Sequence, residues 1–302
     1  MNNSKVFQSR FLDPGNLALL SSLDLIARTV VEGFLVGLHR SPFHGCSAEF
    51  REYRPYNPGD DVRYVDWRVY ARTDRYYVKR FEEETDLNCH LLLDTSASMA
   101  YKAGALSKFD YARFLAASLA HLMTRQRDRV SLLSISDRIK QALPPGGGPR
   151  HLQSFLRQLD RATAEGRSDM KAVLLRVAEG LARKGVVVLI SDLYDEPPDV
   201  VRALVRFRRA GHEVIVFHLI DASEMELEFE GPVEFEDLET GERVSLDPRR
   251  ARGDYALRMK EVIAFYNREL SKEGIDLVSI DTSRPLDHAL LAYLRKRSSQ
   301  RR

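Results

Sequence analysis

From about residue 87 onward, short and almost wholly apolar segments alternate with longer amphipathic ones, and this alternation constrains the fold more than any other feature. The apolar segments are rich in valine, isoleucine and leucine. They are residues 89–94 (CHLLLD), 129–136 (RVSLLSIS), 185–192 (GVVVLISD), 212–220 (HEVIVFHLI) and 275–282 (IDLVSIDT). Segments of this kind are typical of strands that are buried on both faces of a parallel sheet.

The segments between these strands repeat their apolar residues at helical spacing. They are residues 108–126, 149–162, 169–184, 199–210, 255–274 and 285–297, and we expect Gly185 to close the third. Strands that alternate with amphipathic helices predict an α/β fold with a doubly wound, mostly parallel sheet. Ligands of such folds bind beyond the carboxyl ends of the strands, near the point where the strand order reverses.

One insertion, at about residues 222–248, interrupts the succession of strands and helices. Apolar and acidic residues alternate along it. Turn signals near Gly231 and Thr240 predict an antiparallel hairpin or a small meander. Its inward-facing side chains are expected to be Leu227, Phe229, Val233 and Phe235. The glutamate-rich face is interpreted as a solvated surface, and a docking surface for a basic partner is the functional alternative.

Residues 1–86 are predicted to be a separate N-terminal region, followed by the α/β domain over residues 87–302. The first residues lack the long apolar core of a secretory leader. Residues 16–40 are apolar at helical spacing, but charged side chains interrupt them, so we expect an amphipathic helix that packs on protein, begins near Asp13 and Pro14, and does not span a membrane. A helix on a membrane surface is the alternative.

Residues 41–86 are rich in tyrosine and arginine, and short β segments joined by loops are expected there. One interpretation is a surface for nucleic acid, since cationic and stacking groups are both present. Acidic residues offset much of the charge, however, which favours internal ion pairs and aromatic packing. The net charge of the chain is only +2, so no overall field indicates nucleic acid or a membrane as partner.

The chain has two cysteines, Cys46 and Cys89, which are far apart and form no CxxC pattern. Disulfide scaffolding is therefore not expected, and both are interpreted as packed thiols. This cysteine usage fits a reducing cytoplasm.

Oxygen-bearing side chains follow the first apolar strand, in residues 91–99 (LLLDTSASM). One interpretation is a helix N-cap, since Asp and Ser commonly start helices. The other is a metal site, because Asp94, Ser96 and Ser98 offer hard oxygen ligands suited to Mg²⁺, or to another divalent cation such as Mn²⁺ or Ca²⁺.

Two further segments with oxygen ligands lie at predicted strand ends or helix starts. Ser168 and Asp169 precede a helix, while Asp192 and Asp195 follow an apolar strand. A second aspartate at a strand end favours the metal interpretation. Asp169 and Asp195 are expected to play at most a supporting role.

Residues 94–98 resemble the metal-ion-dependent adhesion motif of von Willebrand factor A domains, which is Asp-x-Ser-x-Ser with a distant Thr and a later Asp. The resemblance implies metal ligands at Asp94, Ser96, Ser98 and Asp192. The threonine position would fall on Ser168, which keeps the hydroxyl and lacks the methyl group.

Residues 45–84 strengthen this match, because they resemble the signature of the MoxR-associated von Willebrand A-like proteins, known as domain of unknown function 58. The matching residues are Glu49-Phe50, Arg51, Tyr53, Pro58-Gly59-Asp60-Asp61, Arg63, Asp66-Trp67 and Ala71-Arg72-Thr73. The family implies a bacterial protein that works beside a MoxR-type AAA+ ATPase in a chaperone-like or metal-insertion role. Serines and a single direct carboxylate leave such a cation under-neutralised, so a glutamate or aspartate of a client protein could complete the metal shell.

A Mg²⁺-dependent phosphatase of the haloacid dehalogenase type, with Asp94 as nucleophile, is the main enzymatic alternative. The second catalytic aspartate of such enzymes would here be Ser96, which cannot act as a general acid near neutral pH. The sequence also has no phosphate-cradling GxxxxGK[ST] loop. We therefore expect a cytoplasmic, metal-dependent protein-binding adaptor, and neither an enzyme nor a nucleic-acid-binding protein.

Overall fold

The computed structural model describes residues 13–20, 22–39, 53–55, 70, 76–79, 87–226 and 231–300. Most of the tyrosine- and arginine-rich segment, with Cys46 and most residues of the family signature, lies outside the described residues, as do Leu227 and Phe229. Within that segment two short strands, β1 (Tyr53–Pro55) and β2 (Tyr77–Lys79), pair antiparallel, in accord with the expected short β segments.

The central sheet has six strands, and all neighbours but one pair are parallel, which confirms the predicted fold class. In chain order the strands are β3 (Asn88–Asp94), β4 (Arg129–Ile135), β5 (Ile139–Gly146), β6 (Gly185–Ser191), β7 (Glu213–Ile220) and β10 (Asp276–Asp281). Their order across the sheet is β10-β7-β6-β3-β4-β5. The insertion contributes an antiparallel pair, β8 (Val233–Glu236) and β9 (Arg243–Leu246), joined by a turn in which Gly241 has φ 73°.

Nine helices are described. They are α1 (Pro14–Leu17), α2 (Leu23–His39), α3 (Lys108–Arg125), α4 (Gly148–Arg161), α5 (Met170–Gly180), α6 (Pro197–Arg209), α7 (Ala222–Glu226), α8 (Pro248–Lys272) and α9 (Asp287–Gln300). None of the helices in this part of the chain combines the length and apolar character needed to cross a bilayer.

Helices cover both faces of the sheet. Because successive side chains of a strand point to opposite faces, one strand contributes to two apolar cores. Leu91 and Leu93 of β3 pack with α3, α4 and α9 in one apolar core. Leu92 of the same strand and Leu189 of β6 pack with α5, α6 and α8 in the other. Helix α2 adds to the first core, where Ala27 and Val30 are fully buried.

Three local predictions were wrong. Asp13 caps a helix that begins at Pro14, as predicted, through its bond with Gly15 N at 2.9 Å, but this helix, α1, ends at Leu17, and the long N-terminal helix begins separately at Leu23. Helix α5 ends at Gly180, and Gly185 opens β6. The start of the insertion is the helix α7, because Asp221 begins a turn there by accepting Ser223 N at 3.0 Å.

Strand β5 was not foreseen by the pattern of apolar segments. It pairs antiparallel with β4 because residues 136–138 alone connect the two, a link too short for a parallel crossover. It also lies at the edge of the sheet, where Pro144 and Pro145 are tolerated although they lack an N–H group.

Candidate metal centre at the switch point of the sheet

Asp94 and Asp192 flank the place where the strand order of the sheet reverses. After β3 the chain adds β4 and β5 on one side, and it then crosses to add β6, β7 and β10 on the other. Asp94 is the last residue of β3, and Asp192 directly follows β6, the neighbouring parallel strand. Both carboxylates therefore lie at the rim where α/β sheets of this type bind ligands.

Asp94 is almost fully buried and is held by neutral hydrogen-bond donors. Its Oδ1 accepts Ser96 N at 2.9 Å and Ser96 Oγ at 2.8 Å, and its Oδ2 accepts Ser191 Oγ at 2.6 Å. Burial, followed by the nearby negative charge of Asp192, raises the pKa of Asp94 to about 7, and the hydrogen bonds only partly offset this.

The residues 91–99 do not form the cap of helix α3. Asp94 instead holds the turn that leads into a short 3₁₀ segment, Ala97–Ala100. The cap of α3 is Ser107, whose Oγ accepts Asp110 N at 3.0 Å. The capping interpretation is therefore wrong for α3, and the oxygen atoms of the turn remain available for another role.

Four of the five predicted ligands form one continuous series of close oxygen–oxygen contacts. Ser96 Oγ lies 3.0 Å from Ser98 Oγ, and Ser98 Oγ donates to Asp192 Oδ1 at 3.4 Å. Together with the bonds between Asp94 and Ser96, these contacts join both strand ends. We refer to Asp94, Ser96, Ser98 and Asp192 as the oxygen chain.

The hydroxyl of Ser168, the fifth predicted ligand, bonds outside the oxygen chain. Ser168 Oγ donates to Asp195 Oδ2, and Met170 N donates to the same oxygen at 3.3 Å. Asp169 caps α5 by accepting Ala172 N at 3.0 Å. A metal role for Ser168, and a supporting one for Asp169 or Asp195, stays a prediction.

The loop that carries Ser168 is nevertheless fixed against the Asp94 turn by backbone bonds. Ala97 N donates to Gly166 O at 2.9 Å, and Glu165 N donates to Thr95 O at 3.0 Å. Two strand ends and one loop thus meet at this rim, although their residues are far apart in sequence.

The turn after β6 is held in an uncommon backbone conformation. Leu193 has φ 54°, in the left-handed region that a bulky non-glycine residue rarely adopts. Its N–H donates to Ser191 Oγ at 2.9 Å, and its carbonyl accepts Tyr266 Oη at 3.3 Å. Since Ser191 also bonds to Asp94, this strained turn is tied directly to the oxygen chain.

Lys108 is a residue of the site that the sequence patterns did not indicate. Its Nζ donates to Asp192 Oδ2 at 2.7 Å and to Glu224 Oε1 at 2.7 Å, and its side chain is 0% exposed. Burial alone would lower the pKa of Lys108, but the two adjacent carboxylates outweigh it and raise that pKa. As the first residue of an amphipathic helix, it has the sequence context of an exposed lysine.

The donor atoms of the oxygen chain fit a hard divalent cation. They are carboxylate and hydroxyl oxygens, as Mg²⁺ prefers, and one oxygen of each carboxylate faces a serine of the chain. Among the described residues no group of three or more His, Cys, Asp and Glu side chains is arranged as metal ligands. A cation here would therefore rely on two carboxylates and on serine hydroxyls.

An open cleft of about 500 Å³ lies beside the oxygen chain. Its lining includes Ser98 at one end, the rings of Tyr101, Tyr194 and Tyr255, and the pair of strands β8 and β9. Ser98 is thus the member of the oxygen chain that reaches a surface large enough to receive part of another molecule.

The fold is that of a von Willebrand A-like α/β protein. It has a mostly parallel six-stranded sheet with one antiparallel edge strand, helices on both faces and an Asp-x-Ser-x-Ser turn at the switch point. The chain belongs to the family described as protein of unknown function DUF58, whose model matches residues 52–263. An uncharacterized protein of Mycobacterium bovis is 31% identical over 277 residues, which are 90% of this chain and 86% of that protein.

Two solved structures match most of the chain at low identity. An aerotolerance-related membrane protein from Bacteroides fragilis is 18% identical with a TM-score of 0.49, and the match covers 70% of this chain and 99% of that one. BatB from Bacteroides thetaiotaomicron is 13% identical with a TM-score of 0.47, and covers 71% of this chain and 99% of that one.

Proposed function

We propose that this protein is a metal-dependent protein-binding adaptor that works in the cytoplasm beside a MoxR-type AAA+ ATPase. The residues that would hold the cation, Mg²⁺ or a similar divalent ion, are Asp94, Ser96, Ser98 and Asp192, with Ser168 as a further candidate. The observation that carries the proposal is the oxygen chain itself, which joins two strand ends at the switch point of the sheet.

The arrangement favours binding over catalysis. The donors to Asp94 are the hydroxyls of Ser96 and Ser191 and one backbone N–H, and serine hydroxyls do not act as general acids near neutral pH. A bound divalent cation would supply a positive centre for a partner's carboxylate, and charge-assisted contacts of this kind are strong and directional.

The neighbouring cleft gives such a contact room. Ser98 lines it, so a glutamate or aspartate of a client protein could approach the oxygen chain from this side. The tyrosine rings would then contact the residues that flank this acidic side chain, and those residues should include basic ones, because carboxylates of the β8–β9 pair such as Glu236 and Glu242 also line the cleft.

A capture experiment tests the proposal. The tagged protein and its Asp94→Asn variant are compared as baits for a MoxR-type AAA+ ATPase of the same organism, at one constant Mg²⁺ concentration so that the ATPase itself is unaffected. Asp281→Asn is the matched control, because Asp281 also ends a parallel strand of the sheet and accepts the N–H and hydroxyl of a serine two residues on, Ser283, but lies outside the oxygen chain.

We expect the wild type and Asp281→Asn to retain the ATPase and Asp94→Asn to lose it. Equal capture by all three proteins, or capture by none, would contradict the proposal.

A further inference from the structure

A positively charged side chain, that of Lys108, lies next to the oxygen chain. Lys108 Nζ lies 2.7 Å from Asp192 Oδ2 and 2.7 Å from Glu224 Oε1, and the three side chains are 0%, 2% and 11% exposed respectively. The rings of Tyr194 and Tyr101 lie 5.0 and 5.5 Å from the same nitrogen. The ammonium group is therefore enclosed by two carboxylates and two aromatic rings.

The position of Lys108 in its helix does not account for this burial. A cation at the first residue of α3 lies at the positive end of the helix dipole, where negative groups are the stabilising ones. Ser107 already caps the helix and Asp110 already supplies the acidic residue of its first turn. The contacts of Lys108 indicate a role toward the carboxylates instead.

We propose that Lys108 is an intrinsic counter-cation that competes with a divalent cation for Asp192 and thereby sets the metal affinity of the centre. The proposal rests on the proposed function for the identity of the centre. Of the two oxygens of Asp192, Oδ2 is held by Lys108, and only Oδ1 faces Ser98 of the oxygen chain. The positive charge of Lys108 also repels any cation bound beside Asp192.

Glu224 takes part in this competition because it shares Lys108 with Asp192. It belongs to α7, and it lines the cleft together with Ser98. The negative charge of Glu224 partly neutralises the ammonium group of Lys108, and this weakens the attraction between Lys108 and Asp192. Neutralising Glu224 should therefore tighten Lys108 on Asp192 and weaken metal binding, so the cleft and the metal centre are energetically coupled.

The test is calorimetric titration of the purified full chain with MgCl₂, on the wild type, Lys108→Met and Lys140→Met. Lys140 is the matched control: its Nζ bonds to Thr95 O at 3.1 Å and Glu165 O at 2.6 Å, so it adjoins the same turn without contacting Asp192. We expect Lys108→Met to bind Mg²⁺ roughly tenfold or more tightly than the wild type, and Lys140→Met to differ by about twofold or less, as expected for a more solvated charge.

Glu224→Gln keeps the proposal testable if Lys108→Met does not fold. It retains Lys108, and we expect its Mg²⁺ affinity to fall by roughly threefold or more. An unchanged or higher affinity in Glu224→Gln would overturn the proposal.

The outcomes separate this inference from the proposed function. Wild-type binding of Mg²⁺ with no gain in Lys108→Met would overturn the inference and leave the metal-dependent adaptor intact. Mg²⁺ binding that appears only in Lys108→Met would support the inference and would contradict a metal-dependent function of the native protein. Binding by neither protein would overturn both.

Discussion

At the scale of one residue, Asp94 is a buried carboxylate whose presence the stability of the fold does not explain. A buried carboxylate is costly unless a cation or a dense set of donors compensates it. Its hydrogen-bond donors are the neutral groups of Ser96 and Ser191, while the buried cation Lys108 bonds to Asp192. A fold selected for stability alone would gain from an apolar residue here, so the carboxylate indicates a binding site.

His90 carries a prediction of pH dependence. Burial, with a further contribution from His212, lowers the pKa of His90 to about 4, against about 6.5 in the unfolded chain. Below pH 6.5 the unfolded state therefore takes up a proton that the folded state does not. The free energy of unfolding should be fully retained above pH 6.5 and should decrease as the pH falls toward 4.

Chemical denaturation at pH 7 and pH 5 measures this effect. Because one proton is involved, His90 should account for a loss of about 2 kcal/mol over this range. His90→Gln, which stays neutral and can still bond to Ser131, should lose correspondingly less than the wild type. Identical losses in the two proteins would show that His90 does not titrate in this way.

A residue of the site can be predicted from the sequence when the residues that it contacts lie close to it along the chain. Asp94, Ser96 and Ser98 lie within one turn, so their spacing alone indicates that their oxygens converge. Asp192 follows from the rule for strand ends. Lys108 could not be predicted, because its burial depends on Asp192 and Glu224, more than eighty residues further along the chain.

At the scale of secondary-structure elements, burial decides which segments the sequence predicts. Strands β3 and β6 are buried at every residue, and their continuous apolar runs are unmistakable. Strand β5 is only half-buried, contains two prolines and pairs through one edge, so its pattern is that of a loop. Helix α7 is a single short turn of helix, which leaves no periodicity to detect.

The close contact between β3 and β6 depends on Gly185. A Cβ atom added at this position would lie 2.2 Å from the backbone oxygen of Asn88, and backbone cannot move aside as a side chain can. Gly185→Ala should therefore lower the free energy of unfolding by about 3 kcal/mol, the upper end of the usual range for overpacking.

Gly180→Ala is the control for this element. An added Cβ there meets nothing within 4 Å, and alanine favours the helix, so stability should stay equal or rise by up to about 1 kcal/mol. Denaturant titrations of both variants test the difference. Similar values for the two would mean that the contact between the strands is looser than the structure shows.

At the scale of the whole molecule, α2 shares its core with the sheet. Ile26, Ala27 and Val30 pack in the same apolar cluster as Leu91 and Leu93 of β3. The division into an N-terminal region and an α/β domain at residue 87 stays a prediction for the chain as a whole, but α2 itself is joined to the first core.

Ile26→Ala tests whether α2 and the sheet unfold together. Ile26 is 2% exposed, and its truncation should cost about 2–5 kcal/mol and shift a single transition that includes the sheet. The neighbouring Leu25 is 43% exposed, so Leu25→Ala should change stability by about 0.5 kcal/mol or less. If Ile26→Ala produced a separate early transition and left the main one in place, α2 would be an independent unit.

The central claim, that the oxygen chain binds a divalent cation, is tested most directly by thermal unfolding over a Mg²⁺ titration of the wild type and Asp94→Asn. Because a ligand of the folded state stabilises it by mass action, the wild type should gain about 2.7 kcal/mol at a Mg²⁺ concentration of 100 times Kd. Asp94→Asn removes a buried charge beside Asp192, so it should be at least as stable as the wild type without metal and show no gain with it. Equal Mg²⁺-dependent stabilisation of both proteins, or none in the wild type, would contradict the claim.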